Sequence, residues 1–102
     1  MGTVNNEGID FYNDVINFCL EQKITPWVTS YHWDLPQALE DKGGWTTRAI
    51  IEWFSEFVTI CANAFGDRVK NWMVLNEPMV FIGAGYFLGV HAPGKKGLKN
   101  FL

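Results

Sequence analysis

Val69-Lys70-Asn71-Trp72-Met73-Val74-Leu75-Asn76-Glu77-Pro78 decides the fold. Val69 to Leu75 is rich in β-branched, aromatic and aliphatic side chains. It predicts a strand, closed by the turn-forming Asn76-Glu77-Pro78. Working upstream, Ile24 to Ser30 (ITPWVTS) predicts an earlier strand, with Pro26 near its start, where a missing amide does least harm. Between the two strands, Ile50, Phe54, Phe57, Val58, Cys61 and Phe65 recur at helical spacing. They predict a long helix from about Thr47 to Phe65, stopped by a left-handed Gly66. Two strands joined through such a helix form a parallel, right-handed βαβ unit.

Further outward, Phe11, Tyr12, Val15, Ile16, Phe18, Cys19 and Leu20 predict an amphipathic helix over roughly 6–22, capped by Asn5 or Asn6. Tyr31 to Pro36 is a polar and aromatic turn. Pro36 suits the first turn of a short helix that Gly43-Gly44 ends. Past Pro78, Gly83, Gly85, Gly89, Pro93, Gly94 and Gly97 predict a loop-rich tail. The order is helix, strand, helix, strand. A two-stranded parallel sheet has two open edges and little core, so the pattern is that of a slice of a larger α/β protein.

Composition narrows the function classes. The chain has 102 residues, with eight Lys and Arg against eleven Asp and Glu, for a net charge of −3. That leaves no basic field for phosphate backbones, so nucleic acid is not an expected partner. The longest apolar run, Met79 to Val90, is broken by three glycines and falls short of the about 20 residues of a membrane span. No cationic start leads into an apolar core, so a cytoplasmic location is the expectation. Cys19 and Cys61 sit among apolar residues at helical spacing and predict buried free thiols. With no CxxC and no Cys/His cluster, neither a metal nor a cofactor is expected.

In α/β barrels the reactive groups gather where strands end and loops begin. One strand end supplies Tyr31, His32, Trp33 and Asp34; the other supplies Asn76 and Glu77. An indole face, an imidazole, an amide and a carboxyl suit a sugar. The indole lies against the ring, His and Asn bond hydroxyls, and the carboxyl protonates a leaving oxygen. Pro78 pushes Glu77 towards extended geometry, which directs the carboxylate off the strand. Each residue alone has a structural explanation. Asn-Glu-Pro is usually a turn, His32 a hydrogen-bonded structural imidazole and Trp33 packing. Asp34 reads as a cap of the short helix. Glu52, Glu56, Asp67 and Arg68 look like solvated faces or surface ion pairs.

The whole set resembles glycoside hydrolase family 1, the β-glucosidase family. Tyr31-His32-Trp33-Asp34-Leu35-Pro36-Gln37-Ala38-Leu39 is similar to one of its hallmarks. Gly43-Gly44-Trp45, then Phe65-Gly66-Asp67-Arg68-Val69-Lys70-Asn71-Trp72, then Asn76-Glu77-Pro78, Gly85-Tyr86 and His91-Ala92-Pro93-Gly94 follow in the family's order. Gly2, Val4, Asn5 and Gly8-Ile9-Asp10-Phe11-Tyr12 resemble its upstream helix. The resemblance implies a fragment of a (β/α)8 TIM barrel, with residues 1–102 as an incomplete single domain. They would span roughly strands three and four with their helices and a trailing loop, about a quarter of such a barrel.

The resemblance also implies a retaining β-glycosidase acting on a β-glucoside or oligosaccharide substrate. Glu77 would be its general acid/base, Asn76 the partner of the sugar 2-hydroxyl, and His32 and Trp33 contacts to the glycone. The family's nucleophilic Glu on strand seven has no counterpart in these 102 residues, so the isolated chain is expected to be inactive. Two alternatives stand beside this one. One is a non-enzymatic module that self-associates through open sheet edges or binds sugar weakly. The other is a phospho-β-glucosidase of the same family.

Overall fold

A computed structural model describes residues 2–100. In chain order the elements are α1 (Asn6–Glu21), β1 (Trp27–Tyr31), α2 (Gln37–Glu40), α3 (Ile50–Phe65), β2 (Asn71–Leu75) and α4 (Pro78–Ile82). A 3₁₀ turn covers Gly44–Thr46, and a π-helical segment covers Gly83–Leu88. The chain divides into two compact units, one of residues up to 30 together with 51–74, the other of 31–50 together with the residues from 75 onward. Among the described residues, no helix is long and apolar enough to cross a membrane.

The first unit holds α1, most of α3 and the body of the sheet. β1 and β2 are neighbours and run parallel, as the helix-linked pattern predicts. The Asn5 side chain caps α1 by accepting from the Gly8 N–H at 3.2 Å. Ile16 of α1, Phe65 of α3 and Val69 form the core, with Ile9, Val28, Cys61, Ala64 and Trp72 packed around them. Val69 is 1% exposed. The strands begin later than their apolar runs suggest, β1 at Trp27 and β2 at Asn71. Pro26 thus lies just outside its strand, where it has no ladder bond to forfeit.

Four expectations for this unit are corrected. Gly66 is not left-handed. It is glycine because a Cβ there would stand 2.5 Å from the Ala62 carbonyl oxygen. Phe57, placed on the helix stripe by spacing, is exposed. Cys19 and Cys61 are free but only half-buried; partial burial still pushes the Cys61 thiol up. Arg68 is more than a surface charge. It pairs with Asp67 at 3.0 Å. It also donates to Asn17 Oδ1 at 2.7 Å, to Asn13 Oδ1 at 2.6 Å and to the Ala64 carbonyl at 3.0 Å. One guanidinium therefore pins α1 to the turn between α3 and β2, using the fixed fork of donors that only Arg offers.

In the second unit, the two strand ends meet where the Asn76 N–H donates to the Tyr31 carbonyl at 2.9 Å. Tyr31, Trp45 and Phe81 form an aromatic cluster with ring centroids 4.9–5.2 Å apart. The segment after Pro78 is helical rather than loop-like. Pro78 occupies the first turn of α4, and the helix widens into the π-helical turn of Gly83–Leu88. Burial of Phe81, Gly85 and Tyr86 outweighs the poor helix propensity of the glycines. Residues 89–97 then fold back onto that helix. Val90 and His91 N–H both donate to the Ala84 carbonyl, at 2.9 and 3.1 Å, and Gly97 N–H donates to Phe87 at 3.1 Å. Gly85 permits this approach, because a Cβ there would stand 2.4 Å from the Ala92 carbonyl oxygen.

Candidate active site

Every residue expected at the site lies in the second unit. Trp33 follows β1 with φ of 74°, left-handed backbone that a bulky side chain adopts only at a cost of about 1–3 kcal/mol. Several contacts hold it there. Its indole Nε1–H donates to the Asn76 carbonyl at 2.9 Å. The His32 ring meets its edge at 5.6 Å between centroids, and the His91 ring tilts against it at 5.5 Å.

His32 Nε2 lies 3.2 Å from Asn76 Nδ2. An amide nitrogen only donates, so in this orientation Nε2 is the acceptor and the ring proton sits on Nδ1. Asp34 does not cap α2, where Pro36 holds the cap position without a side-chain bond. The Asp34 carboxylate instead accepts from the His32 N–H at 3.2 Å and tightens the turn that carries the imidazole.

Glu77 departs from the extended geometry expected before a proline. Its φ of 43° and ψ of 63° are left-handed. Proline excludes the right-handed helical basin for the residue before it, while α4 begins at Pro78. The chain therefore reverses sharply at Glu77. Its carbonyl accepts from Val80 and Phe81 N–H at 2.9 and 3.2 Å, and the residue is exposed. Left-handed backbone at a residue with a side chain costs about 1–3 kcal/mol and persists only where the surrounding structure imposes it.

Behind this surface lies a polar cluster that sequence patterns do not single out. Tyr86, 3% exposed, donates its hydroxyl to Glu40 Oε2 at 2.5 Å and accepts from the Trp45 N–H at 3.4 Å. Glu40 Oε1 pairs with Lys95 Nζ, which also stands 5.3 Å from the centre of the Tyr86 ring. Burial, reinforced by the Glu40 carboxylate, pushes the Tyr86 phenol well above its ordinary range, so the hydroxyl remains a donor. Burial raises the Tyr31 phenol in the same direction. Gly44 makes the cluster fit. At φ of 50° it approaches so closely that a Cβ would stand 2.0 Å from Glu40 Oε2 and 2.9 Å from the Tyr86 hydroxyl. The Gly43-Gly44 pair was thus a visible signal, but spacing alone does not reveal which side chains need the space.

A cavity of about 70 Å³ is lined by Tyr31, Trp33, Glu40, Tyr86 and their neighbours. It has room for a few waters, whereas pockets that enclose a ligand run to about 300–1,000 Å³. A cavity of about 220 Å³ in the first unit contains none of the expected site residues. Among the described residues, no group of three or more His, Cys, Asp and Glu is placed to hold a metal ion. The second unit thus offers an aromatic face, an imidazole, an amide and an exposed carboxylate on two adjoining strand ends. That set can grip a polyol ring and deliver one proton.

The family model described as glycosyl hydrolase family 1 matches residues 1–102. β-Glucosidase A of Thermotoga maritima is 55% identical over 97 residues, covering 95% of this chain and 22% of that protein. The cytosolic β-glucosidase of Cavia porcellus is 50% identical over 93 residues, covering 91% of this chain and 20% of the relative. The chain therefore spans about a fifth of the length of the curated relatives it matches. A solved family 1 β-glucosidase from Thermotoga maritima superposes with a TM-score of 0.93 over 95% of this chain and 22% of that one. The Thermotoga enzyme has also been solved in complex with castanospermine and with deoxynojirimycin. These neighbours are TIM barrels, so the helix–strand–helix–strand order of this chain is a stretch of such a barrel.

Proposed function

Because this chain belongs to glycosyl hydrolase family 1, we propose that it supplies the acid/base half of a retaining β-glucosidase site, within one barrel domain that includes residues 1–102. The observation that carries this reading is the bonding of Trp33 and His32 to Asn76, directly beside the strained and exposed Glu77. Trp33 presents its indole to the glucose ring. His32 and Asn76 bond its hydroxyls, with Asn76 at the 2-hydroxyl. Glu77 protonates the glycosidic oxygen as the aglycone departs, then deprotonates the water that releases the sugar. A second carboxylate must attack the anomeric carbon, and retaining enzymes place it about 5–5.5 Å from the first. No other carboxylate in this chain follows a strand end in the family's nucleophile pattern. The substrate class is a β-glucoside, in line with the sugar-like inhibitors bound by the Thermotoga enzyme.

The test is a chimera in which residues 1–102 replace the matching stretch of the Thermotoga maritima β-glucosidase. It should hydrolyse aryl β-glucosides. Glu77→Gln should lower turnover on unactivated glucosides by about 10²–10⁴-fold. Azide should restore turnover on activated ones, because an anionic nucleophile needs no general base. A Glu77→Gln chimera that keeps half the rate would remove Glu77 from this role.

A second reading, self-association of the isolated chain, is favoured by one observation. Phe11, Phe18 and Trp27 of the first unit are 60–64% exposed, and among the described residues the sheet has two strands. Apolar faces and open edges of this kind promote association. Sedimentation of the 102-residue chain checks it, and a monomer at high concentration would exclude it.

A further inference from the structure

We propose that His91 is a positioning residue that sets the plane of the Trp33 indole, and that the Tyr86–Glu40–Lys95 cluster holds the 89–97 segment that carries it. The proposal builds on Trp33 as a sugar-facing group, yet it rests on separate observations. Trp33 has a strained backbone at φ of 74°, so its indole keeps one orientation only if its surroundings impose it. The hydrogen bond from Nε1 to the Asn76 carbonyl fixes one edge of the ring. The His32 ring meets the indole from the neighbouring position at 5.6 Å, and the rest of the ring plane is left to a partner from elsewhere in the unit. The His91 ring, tilted by 40° against the indole at 5.5 Å, restrains the remaining freedom.

His91 can do this because its backbone is anchored. Its N–H donates to Ala84, its carbonyl accepts from Gly94 N–H at 2.8 Å, and Gly97 N–H closes onto Phe87. Lys95, four residues on, is tied to the largely covered side chain of Glu40, which also holds Tyr86 in the π-helical turn. The segment is thus fastened at both ends, and the ring at its first anchor rests on the indole. His91 therefore acts by its ring face rather than by its nitrogens, so a flat apolar ring should replace it.

The test reads proton exchange of the tryptophan indole N–H groups by NMR in the 102-residue chain. It needs no catalysis, so it fails or succeeds independently of the hydrolase reading. His91→Ala should speed exchange at Trp33 by about tenfold. Trp72, whose indole donates to the Val69 carbonyl in the other unit, should stay within about twofold. His91→Phe should restore the slow exchange at Trp33. Unchanged exchange at Trp33 in His91→Ala would overturn the proposal, as would failure of His91→Phe to restore it. Should Trp72 also lose protection in His91→Ala, Lys95→Met decides by the same readout. Faster exchange at Trp33 alone, reversed in Lys95→Arg, supports the clamp, and no change at Trp33 overturns it.

Discussion

The Tyr86 hydroxyl and the Glu40 carboxylate share a 2.5 Å hydrogen bond in the interior of the second unit. The phenol is the donor, so the bond exists only while Tyr86 is protonated. Burial and the Glu40 charge both hold its proton on. In an unfolded chain the phenol titrates near 10; in the fold it titrates higher. The folded state therefore favours the protonated form. Tyr86 contributes its full stability below about pH 10 and loses it as the pH rises above that value.

Tyr86→Phe should cost about 1–3 kcal/mol at neutral pH, because the largely covered Glu40 carboxylate loses its phenol donor. The gap between wild type and variant should narrow by pH 11. Urea unfolding at pH 7 and pH 11 measures both, and a gap that is equal at the two pH values would contradict the titration.

Gly44→Ala should be among the most damaging small substitutions in the chain. The added methyl would stand 2.0 Å from Glu40 Oε2, on a backbone at φ of 50°. A left-handed residue with a side chain costs about 1–2 kcal/mol, and losing the hydrogen bond adds about 1–3 kcal/mol. Denaturant unfolding should show a loss of about 2–5 kcal/mol on that basis, whereas Gly83→Ala, with open space around it, should stay within about 1 kcal/mol.

Arg68→Met should loosen α1. The variant keeps the aliphatic stem but loses the donors to Asn13, Asn17 and the Ala64 carbonyl. A loss of about 2–3 kcal/mol is expected from charge-assisted bonds of this kind. Amide hydrogen exchange in α1 should quicken while exchange in α4 stays unchanged. The Arg68 guanidinium also holds the Asp67 carboxyl below its ordinary range. A lowered pKa contributes stability above about pH 4 and loses it on acidification. The difference between wild type and Arg68→Met should therefore narrow as the pH falls below that value, slightly, because Asp67 is open to solvent.

Ile16→Ala tests how little core the first unit has. Ile16 packs on Phe65 and Val69 at the centre of a small cluster. Truncation of a buried Ile costs about 2–5 kcal/mol, comparable to the whole stability of a small domain. Circular dichroism on heating should show the variant melting far below wild type or unfolded at 25 °C. A melting point unchanged by the substitution would mean that this cluster is not what holds α1.

Patterns of one element at a time were legible in the sequence. Ile16 and its neighbours at helical spacing give α1, Asn5 its cap, and the apolar run into Asn76-Glu77-Pro78 gives β2. Each depends on local periodicity or on one side chain reaching its own backbone. Residues whose role depends on which partner the fold brings to them were misjudged. Asp34 looked like a helix cap and instead braces His32. The glycines after Pro78 looked like loop and instead allow a helix and its returning segment to touch.

By itself the sequence determined the order of helices and strands as far as Pro78, the family, and the four residues His32, Trp33, Asn76 and Glu77 as the group to examine. These follow from spacing and from ordered short motifs, which survive without knowledge of the fold. Only the tertiary structure decided that Glu77 and Trp33 are held in left-handed backbone, that Arg68 fastens α1, and that Glu40, Tyr86, Lys95 and His91 stand behind the site. Apart from the turn at Glu77, those facts arise from contacts between residues 43 to 58 positions apart in the chain. Spacing records which face a residue occupies, but the partner it meets there is set by where the rest of the chain packs.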